Sequence, residues 1–273
     1  MKDLIITHPG SAHFDEFFAI CLILASFPEK QFSIERREPL PEELSDPEVW
    51  VVDIGGHYDP ALKNFDHHQD LELGASFVLV GDHLKISELF RQIPWWRYKD
   101  RLDRFGPYHA AKELGANEIT QAHSPFEDWF LSLFEENPAQ VYLLMQRFGR
   151  DVIEAARTLN ERIKFWASCR QVRIKGRIVL IGLTDDASGM QAYRDGMAEP
   201  ASVCLRYDSR GAGWTLYRFN DLDTVDFSRL ENHPDILFAH KGGFIAKTRE
   251  RIPLEAALKL VEMGMVGKMK DEG

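Results

Sequence analysis

The chain has 273 residues, of which 44% are apolar and 28% charged, and its formal net charge is −10. These proportions are typical of a globular protein with one large or two smaller domains, and the acidic total argues against a protein that coats duplex nucleic acid. No segment approaches the roughly 18 consecutive apolar residues of a membrane span. Since an apolar strand begins almost at once and the three cysteines are scattered, we expect no leader peptide and a cytoplasmic location.

The first fifth of the chain alternates short apolar strands with one largely apolar helix. The pattern predicts strands at 4–7, 32–37 and 49–55 and a helix at 15–27. This order is typical of an α/β fold built on a parallel sheet, in which ligands bind at the carboxyl ends of the strands. His8 and Asp53 both fall at predicted strand ends, so we expect them to lie close together.

The middle of the chain is helical in pattern and the last third is strand-like. Helices are predicted at 84–105 with a break near Pro94, at 124–137, at 138–171 and, after the strands, at 254–264. Strands and hairpins are predicted within 172–183, 201–219 and 235–247. We place a boundary near residue 165. Residues 1–165 then form a parallel-sheet domain with a connector helix, and residues 166–273 form a smaller mixed α+β domain.

Histidines and aspartates are concentrated near the N-terminus. Five of the ten histidines lie within the first 68 residues: His8, His13, His57, His67 and His68. Taken alone, HFDE is explained by a helix start with capping acids, DHH by a polar turn and Asp53 by a strand end. Because three separate segments supply imidazole and carboxylate groups, we predict a site for Mn, Fe, Co, Zn or Mg.

Three blocks of the sequence are similar to those of a known superfamily. They are THPGSAHFDE (7–16), VVDIGGHYDPALKNFDHHQ (51–69) and FAHKGGFIAKTRE (238–250). Their order resembles the DHH phosphoesterases, which include family II inorganic pyrophosphatases, single-strand exonucleases and enzymes that cleave small nucleotides. Within them, the blocks resemble most closely the melanocyte-proliferating-gene family, also called metal-dependent protein hydrolases. The resemblance implies a two-metal active site in a cleft between the two domains.

The resemblance also implies a set of metal ligands. His8 and His13 would hold one metal ion, with Asp53 bridging to the second. Asp15, Asp53 and His67 would hold the second ion, completed by an aspartate from a fourth motif. The ions would be manganese first, with magnesium, cobalt or zinc as alternatives.

The fourth motif is carried by KDRLDRFG, where Asp103 is the preferred ligand and Asp100 the alternative. Its arginines depart from the family pattern, and an exposed charged helix is the structural alternative. In the same scheme Asp66 would orient the histidines, and His68 would face the substrate phosphate. We therefore assign catalytic roles to Asp53, Asp66 and His68.

The C-terminal block would contact the substrate. The implied substrate-binding residues are His68 together with His240, Lys241, Gly242 and Gly243. Adjacent glycines allow backbone N–H groups to approach an anion, although a tight turn between strands explains the same residues. Lys241 departs from the family, which has small residues after the histidine.

The predicted function is hydrolysis of phosphodiester bonds by a two-metal phosphoesterase, either an exonuclease or another oligonucleotide-cleaving enzyme. The expected partner is a phosphate-containing small molecule or a short single-stranded nucleic acid. Two alternatives stay open: a pyrophosphatase or mononucleotide phosphohydrolase, and a nucleotide-binding protein without catalysis. A homodimer is the expected assembly, because two-fold dimers are the commonest oligomers.

Overall fold

The computed structural model describes residues 3–115 and 125–266. The protein is mixed α/β with two sheets, as the sequence predicted. It divides into two compact units, Met1–Arg157 and Thr158–Gly273. Within the described ranges, no helix has both the length and the apolar character needed to cross a membrane.

The first unit contains a five-stranded sheet and most of the helices. Its strands are β1 (Asp3–Thr7), β2 (Phe32–Arg36), β3 (Trp50–Val52), β4 (Tyr58–Asp59) and β5 (Asn64–Phe65). Its helices are α1 (Phe14–Ser26), α2 (Pro41–Leu44), α3 (Ser76–His83), α4 (Ser87–Phe90), α5 (Pro94–Phe105), α6 (Pro107–Leu114), α7 (Pro125–Glu136) and α8 (Pro138–Ser168), which continues into the second unit. The strand order is β2-β1-β3-β5-β4, and every pairing is parallel except that of β4 with β5.

Helix α1 is the central helix of this unit. Ten of its thirteen residues are buried, which explains why its sequence is apolar on every side. Phe18 contacts the aromatic rings of Phe77, Phe90 and Trp96 from three other helices. This packing fixes the N-terminal end of α1 beside the carboxyl ends of the parallel strands.

Some local features of the first unit differ from the sequence prediction. Helix α3 was not predicted, whereas the break expected near Pro94 within 84–105 is confirmed: it separates α4 from α5, and Pro94 lies in the first turn of α5. The strand expected at 49–55 ends at Val52. It ends there because Asp53 adopts a left-handed backbone conformation, with φ +61°, which a strand cannot continue.

The second unit is built on a six-stranded mixed sheet. Its strands are β6 (Arg170–Ile174), β7 (Arg177–Gly182), β8 (Val203–Tyr207), β9 (Trp214–Arg218), β10 (Ile236–Ala239) and β11 (Ile245–Thr248), in the order β10-β11-β9-β8-β7-β6. The predicted hairpins account for most pairings. However, β7 and β8 are parallel, and the chain between them forms the short helix α9 (Met190–Asp195). Helix α10 (Leu254–Gly264) follows the last strand.

An ion pair with a buried carboxylate links Asp208, which directly follows β8, to Lys247 on β11 and gives a testable contribution to stability. The Asp208 carboxylate, 4% exposed, accepts a hydrogen bond from Lys247 Nζ at 2.6 Å. Burial opposes ionisation, but Lys247 and the Arg210 N–H outweigh it and lower the pKa of Asp208. Since the folded-state pKa lies below the unfolded one, this stabilisation is present at neutral pH and is lost as pH falls through the folded-state value.

Asp208→Asn is therefore expected to lower the free energy of unfolding at pH 7 by about 2 kcal/mol. The difference from the unmodified protein should shrink below about pH 4. Urea denaturation followed by circular dichroism at both pH values measures it. The matched control is Asp221→Asn, because Asp221 pairs with Arg218 but is 96% exposed. An equal loss in both variants would contradict the contribution assigned to Asp208.

Candidate metal centre

A cavity of about 500 Å³ in the first unit gathers most of the predicted site residues. Its lining includes His8, His13, Asp53, His67, His68 and Asp103. His8 directly follows β1 and Asp53 directly follows β3, so neighbouring parallel strands bring them to one edge of the sheet. Polar side chains from at least four separate segments thus meet in one place.

The first group of donor atoms comes from the loop between β1 and α1 and from α1 itself. His8 Nδ1 donates to the Pro9 carbonyl at 2.9 Å, so Nε2 is the ring atom that remains free to bind a cation. That Nε2 lies 3.2 Å from Glu16 Oε1 and 3.6 Å from Asp53 Oδ2. Donor atoms of His8, His13 and Glu16 all lie within 4.8 Å of one another, so this trio could hold one cation.

The second group surrounds His67. Its Nε2 atom lies 3.0 Å from Asp103 Oδ2, 3.3 Å from Asp15 Oδ2 and 3.4 Å from Asp53 Oδ1. Asp15, Asp53 and His67 are buried, so these charges are shielded from water. Both Asp15–His67–Asp103 and Asp53–His67–His68 have donors close enough to hold a cation.

Asp53 lies between the two groups of donor atoms, and hydrogen bonds constrain both its backbone and its side chain. Its backbone N–H donates to the Phe65 carbonyl at 3.0 Å, and its Oδ1 accepts from the Ser76 hydroxyl at 3.1 Å. Its φ of +61° is a conformation that aspartate and asparagine adopt more readily than other side-chain-bearing residues. The backbone and side chain of Asp53 are therefore both constrained.

Asp15 is oriented by the start of α3. Its two carboxylate oxygens accept from the N–H groups of Ser76 at 2.8 Å and Phe77 at 2.7 Å. Burial and the neighbouring Asp53 carboxylate raise the pKa of Asp15 to about 6. A cation bound beside Asp15 would offset this cost of ionisation.

The fit to a cation can be tested on His67. None of its three carboxylate contacts has hydrogen-bond geometry, and among the described residues its buried Nε2 has no hydrogen-bond partner. Burial disfavours the protonated ring, but Asp103, Asp15 and Asp53 outweigh it and raise the pKa of His67 to about 12. Three carboxylate oxygens within 3.4 Å of one buried ring nitrogen favour positive charge there. Nitrogen and oxygen donors of this kind suit Mn, Fe, Co, Zn or Mg, so the residues fit a divalent metal.

Asp100 and Asp103 have different surroundings. Asp100 Oδ1 accepts from the Ala75 N–H at 2.9 Å, and Oδ2 accepts from Arg104 Nη1 at 3.3 Å. Asp103 instead reaches His67. The geometry therefore gives Asp100 a structural role at the start of α3 and leaves Asp103 available to a cation.

Asp66 and His68 form a hydrogen-bonded pair beside the two groups. Asp66 Oδ1 accepts from both the backbone N–H of His68 at 3.0 Å and its Nδ1 at 2.8 Å, and Oδ2 accepts from the Gly56 N–H at 2.6 Å. Burial opposes ionisation, but these donors outweigh it and lower the pKa of Asp66. The His68 side chain is 64% exposed.

The N-terminal part of the chain is also similar to known proteins. Residues 4–73 match the family model MYG1_exonuc. That model is described as an uncharacterised protein family (UPF0160). The proteins named MYG1 exonuclease from Homo sapiens and Bos taurus are 43% identical to this chain over 63 residues, and that from Mus musculus is 41% identical. Each match covers 23% of this chain and 16% of the relative's length. The chain therefore matches only a small part of these relatives.

The predicted substrate residues His240, Lys241, Gly242 and Gly243 belong to the second unit. They form the turn between β10 and β11, in which the Gly242 N–H donates to His240 Nδ1 at 3.0 Å. Gly243 has φ +71°, and a Cβ there would lie 2.2 Å from Asp226 Oδ1. Lys241 pairs with Glu231 at 2.6 Å. The turn explains Gly243 structurally, and contact with a substrate stays a prediction.

The sequence reasoning missed Glu16, which is fully buried at the third position of α1. Its Oε1 accepts from the His13 N–H at 2.8 Å and from Arg36 Nη1 at 3.2 Å, while its Oε2 has no partner among the described residues. Burial opposes ionisation, but His8 and the His13 N–H lower the pKa of Glu16. Glu16 lies three residues after His13, which is the spacing of a glutamate that caps a helix. The sequence therefore indicated a capping role, and nothing in it indicated that the side chain lies near both His8 and His13.

Glu16→Gln is expected to weaken manganese binding by about 10- to 100-fold, because the carboxylate supports both histidines. Isothermal titration calorimetry on the intact chain measures the dissociation constant. Glu43→Gln is a matched control. Glu43 occupies the same third position in α2, accepts from the Leu40 N–H at 2.7 Å and pairs with Arg37. Equal affinity in the Glu16 variant and the control would rule out this role.

Proposed function

We propose that the chain is a two-metal phosphoesterase that hydrolyses phosphodiester bonds, with the end of a short RNA or DNA strand as its substrate. One observation carries the proposal: His67 Nε2 lies within 3.4 Å of carboxylate oxygens of Asp15, Asp53 and Asp103 in a cavity that His8 and His13 also line. The relatives are named exonucleases, which supports hydrolysis of phosphodiester bonds as the reaction of the matched segment.

In this proposal, His8, His13 and Asp53 would hold one cation, and Asp15, Asp53, His67 and Asp103 would hold the other. Manganese is the first choice, because imidazole and carboxylate donors together suit it. When bound, two such ions lower the pKa of a water molecule and stabilise charge on the attacking and leaving oxygens.

Charge balance in the cavity supports an anionic substrate. Asp15, Asp53 and Asp103 supply three negative charges against four positive charges from two divalent ions. The buried Glu16 carboxylate does not alter this sum, since Arg36 pairs with it at 3.2 Å. The filled centre then carries about one positive charge, which matches one phosphodiester.

The Asp66–His68 pair has a role in proton transfer under this proposal. Asp66 holds the His68 Nδ1–H at 2.8 Å, which fixes the ring so that Nε2 faces outward. From there, Nε2 can donate a hydrogen bond to a phosphate oxygen or give a proton to the leaving alkoxide. We also propose that His240, Lys241, Gly242 and Gly243 contact the substrate from the second unit.

The test is a screen of the full chain with manganese against four substrates: bis-p-nitrophenyl phosphate, a short single-stranded RNA, a short single-stranded DNA and pyrophosphate. We expect manganese-dependent cleavage of the first substrate and of at least one oligonucleotide, abolished by a chelator and restored by manganese. Release of phosphate from pyrophosphate alone would replace the proposal with a pyrophosphatase. Binding of nucleotides without hydrolysis of any substrate would indicate a binding protein.

A further inference from the structure

An arginine lines the same cavity as the proposed metal ligands. Arg104 lies on α5 directly after Asp103, and its side chain is only 10% exposed. The described residues that line the cavity include four carboxylates, Glu38, Asp53, Asp66 and Asp103, whereas Arg104 is their only lysine or arginine. A permanent positive charge therefore stands at the border of an otherwise acidic and histidine-rich cavity.

The position of Arg104 is fixed, but its donors are not all used. Nη1 donates to Asp100 Oδ2 at 3.3 Å, and Nη2 donates to the Leu71 carbonyl. The guanidinium carbon lies 4.8 Å from the centre of the Phe105 ring. Nε is buried and has no hydrogen-bond partner among the residues that the structure describes. Of the five N–H donors of a guanidinium, two are thus accounted for.

Asp100 does not cancel this charge completely. Its other oxygen accepts from the Ala75 N–H at 2.9 Å, at the positive end of α3, so its negative charge is shared with the backbone there. Arg104 therefore keeps its three remaining N–H donors and part of its charge for a ligand in the cavity. Fixed guanidinium groups of this kind are well suited to phosphate oxygens.

We propose that Arg104 binds a second phosphate of the substrate, adjacent to the one that is cleaved. This inference rests on the proposed function, in which the metal centre has charge enough for one phosphodiester. A cavity of about 500 Å³ is in the size range of sites for whole nucleotides rather than for a single phosphate. The substrate class is then an oligonucleotide end that carries a neighbouring phosphate.

The test compares three dinucleotides: one without a terminal phosphate, one with a 5′-phosphate and one with a 3′-phosphate. For the unmodified protein with manganese, we expect kcat/KM for one phosphorylated dinucleotide to exceed that for the unphosphorylated one by at least about tenfold. In Arg104→Gln this preference should fall to about twofold or less. Arg104→Lys should recover part of it, because the charge is kept and the planar fork is lost.

Equilibrium binding provides a readout independent of turnover. The same dinucleotides, with a methylene group replacing the bridging oxygen, should bind the unmodified protein more tightly when phosphorylated, and Arg104→Gln should lose that difference. Arg101→Gln is the matched control, since Arg101 lies on the same helix, pairs with Glu113 at 3.3 Å and is not among the described lining residues. It should keep the full preference.

The outcomes separate this inference from the proposed function. Hydrolysis of bis-p-nitrophenyl phosphate without any preference for a phosphorylated dinucleotide would overturn the role of Arg104 and leave the phosphoesterase proposal intact. A preference that survives in Arg104→Gln would do the same. If no phosphodiester is hydrolysed and the analogues bind equally with and without a terminal phosphate, both proposals fail.

Discussion

Replacing Asp53 with asparagine is expected to lower kcat for bis-p-nitrophenyl phosphate about a thousandfold, which corresponds to about 4 kcal/mol. Asp53 stands between both donor groups, 3.6 Å from His8 Nε2 and 3.4 Å from His67 Nε2. Removing its charge weakens both proposed cation sites at once. Steady-state kinetics at saturating manganese, together with the manganese dissociation constant, measure the effect.

Asparagine is the informative substitution because it keeps the backbone unstrained. At φ +61°, asparagine is tolerated about as well as aspartate, whereas alanine adds strain of about 1 kcal/mol. Asp53→Gly should unfold at a higher urea concentration than Asp53→Ala, because both variants lose the hydrogen bond from Ser76 and only alanine is strained at this φ. If Asp53→Asn kept both wild-type activity and wild-type metal affinity, the two-metal mechanism would be wrong.

Manganese at about one hundred times its dissociation constant should stabilise the protein by about 2.7 kcal/mol. Without cations, the carboxylates of Asp15, Asp53 and Asp103 repel one another, and loss of contact with water raises the pKa of each, although only Asp15 and Asp53 are fully buried. For a unit of this size, the gain corresponds to a rise in Tm of roughly 5–10 °C. Differential scanning calorimetry of the chelated and manganese-loaded chain measures it.

Hydrogen exchange identifies the part of the chain that is stabilised. Local protection should increase at the start of α1, at the start of α3 and in α5, because these elements supply or orient the donor atoms. Amides in β7 and β8 provide an internal control for local effects. A rise in Tm that is matched by an equal rise in the Asp53→Asn variant would mean that manganese binds elsewhere.

The approximate positions of His8, Asp15 and Asp53 could be predicted from the sequence. Each stands where an apolar run begins or ends, and parallel strands bring such positions to one edge of a sheet. The pattern therefore located the cavity from local signals alone. The roles of these residues as ligands stay predictions, as does the boundary near residue 165.

Other parts of the site depend on contacts that no local pattern encodes. The left-handed conformation of Asp53 is stabilised by its hydrogen bonds to Phe65 and Ser76, which are 12 and 23 residues away. Helix α3 was missed because its sequence, SFVLVGDH, has a strand-like mixture of β-branched and small residues. The parallel pairing of β7 with β8 was also missed, since two apolar runs look alike in either direction.

The donor atoms of the proposed centre are contributed by residues spread from His8 to Asp103, and this spread has a consequence for synthesis. A nascent chain must extend beyond α5 before every donor exists, so the fragment that resembles known relatives, residues 4–73, lacks one of them. If the centre holds cations as proposed, their capture would then be a late event in maturation. Bound cations would mainly slow the unfolding of the complete chain and would have little effect on its folding rate.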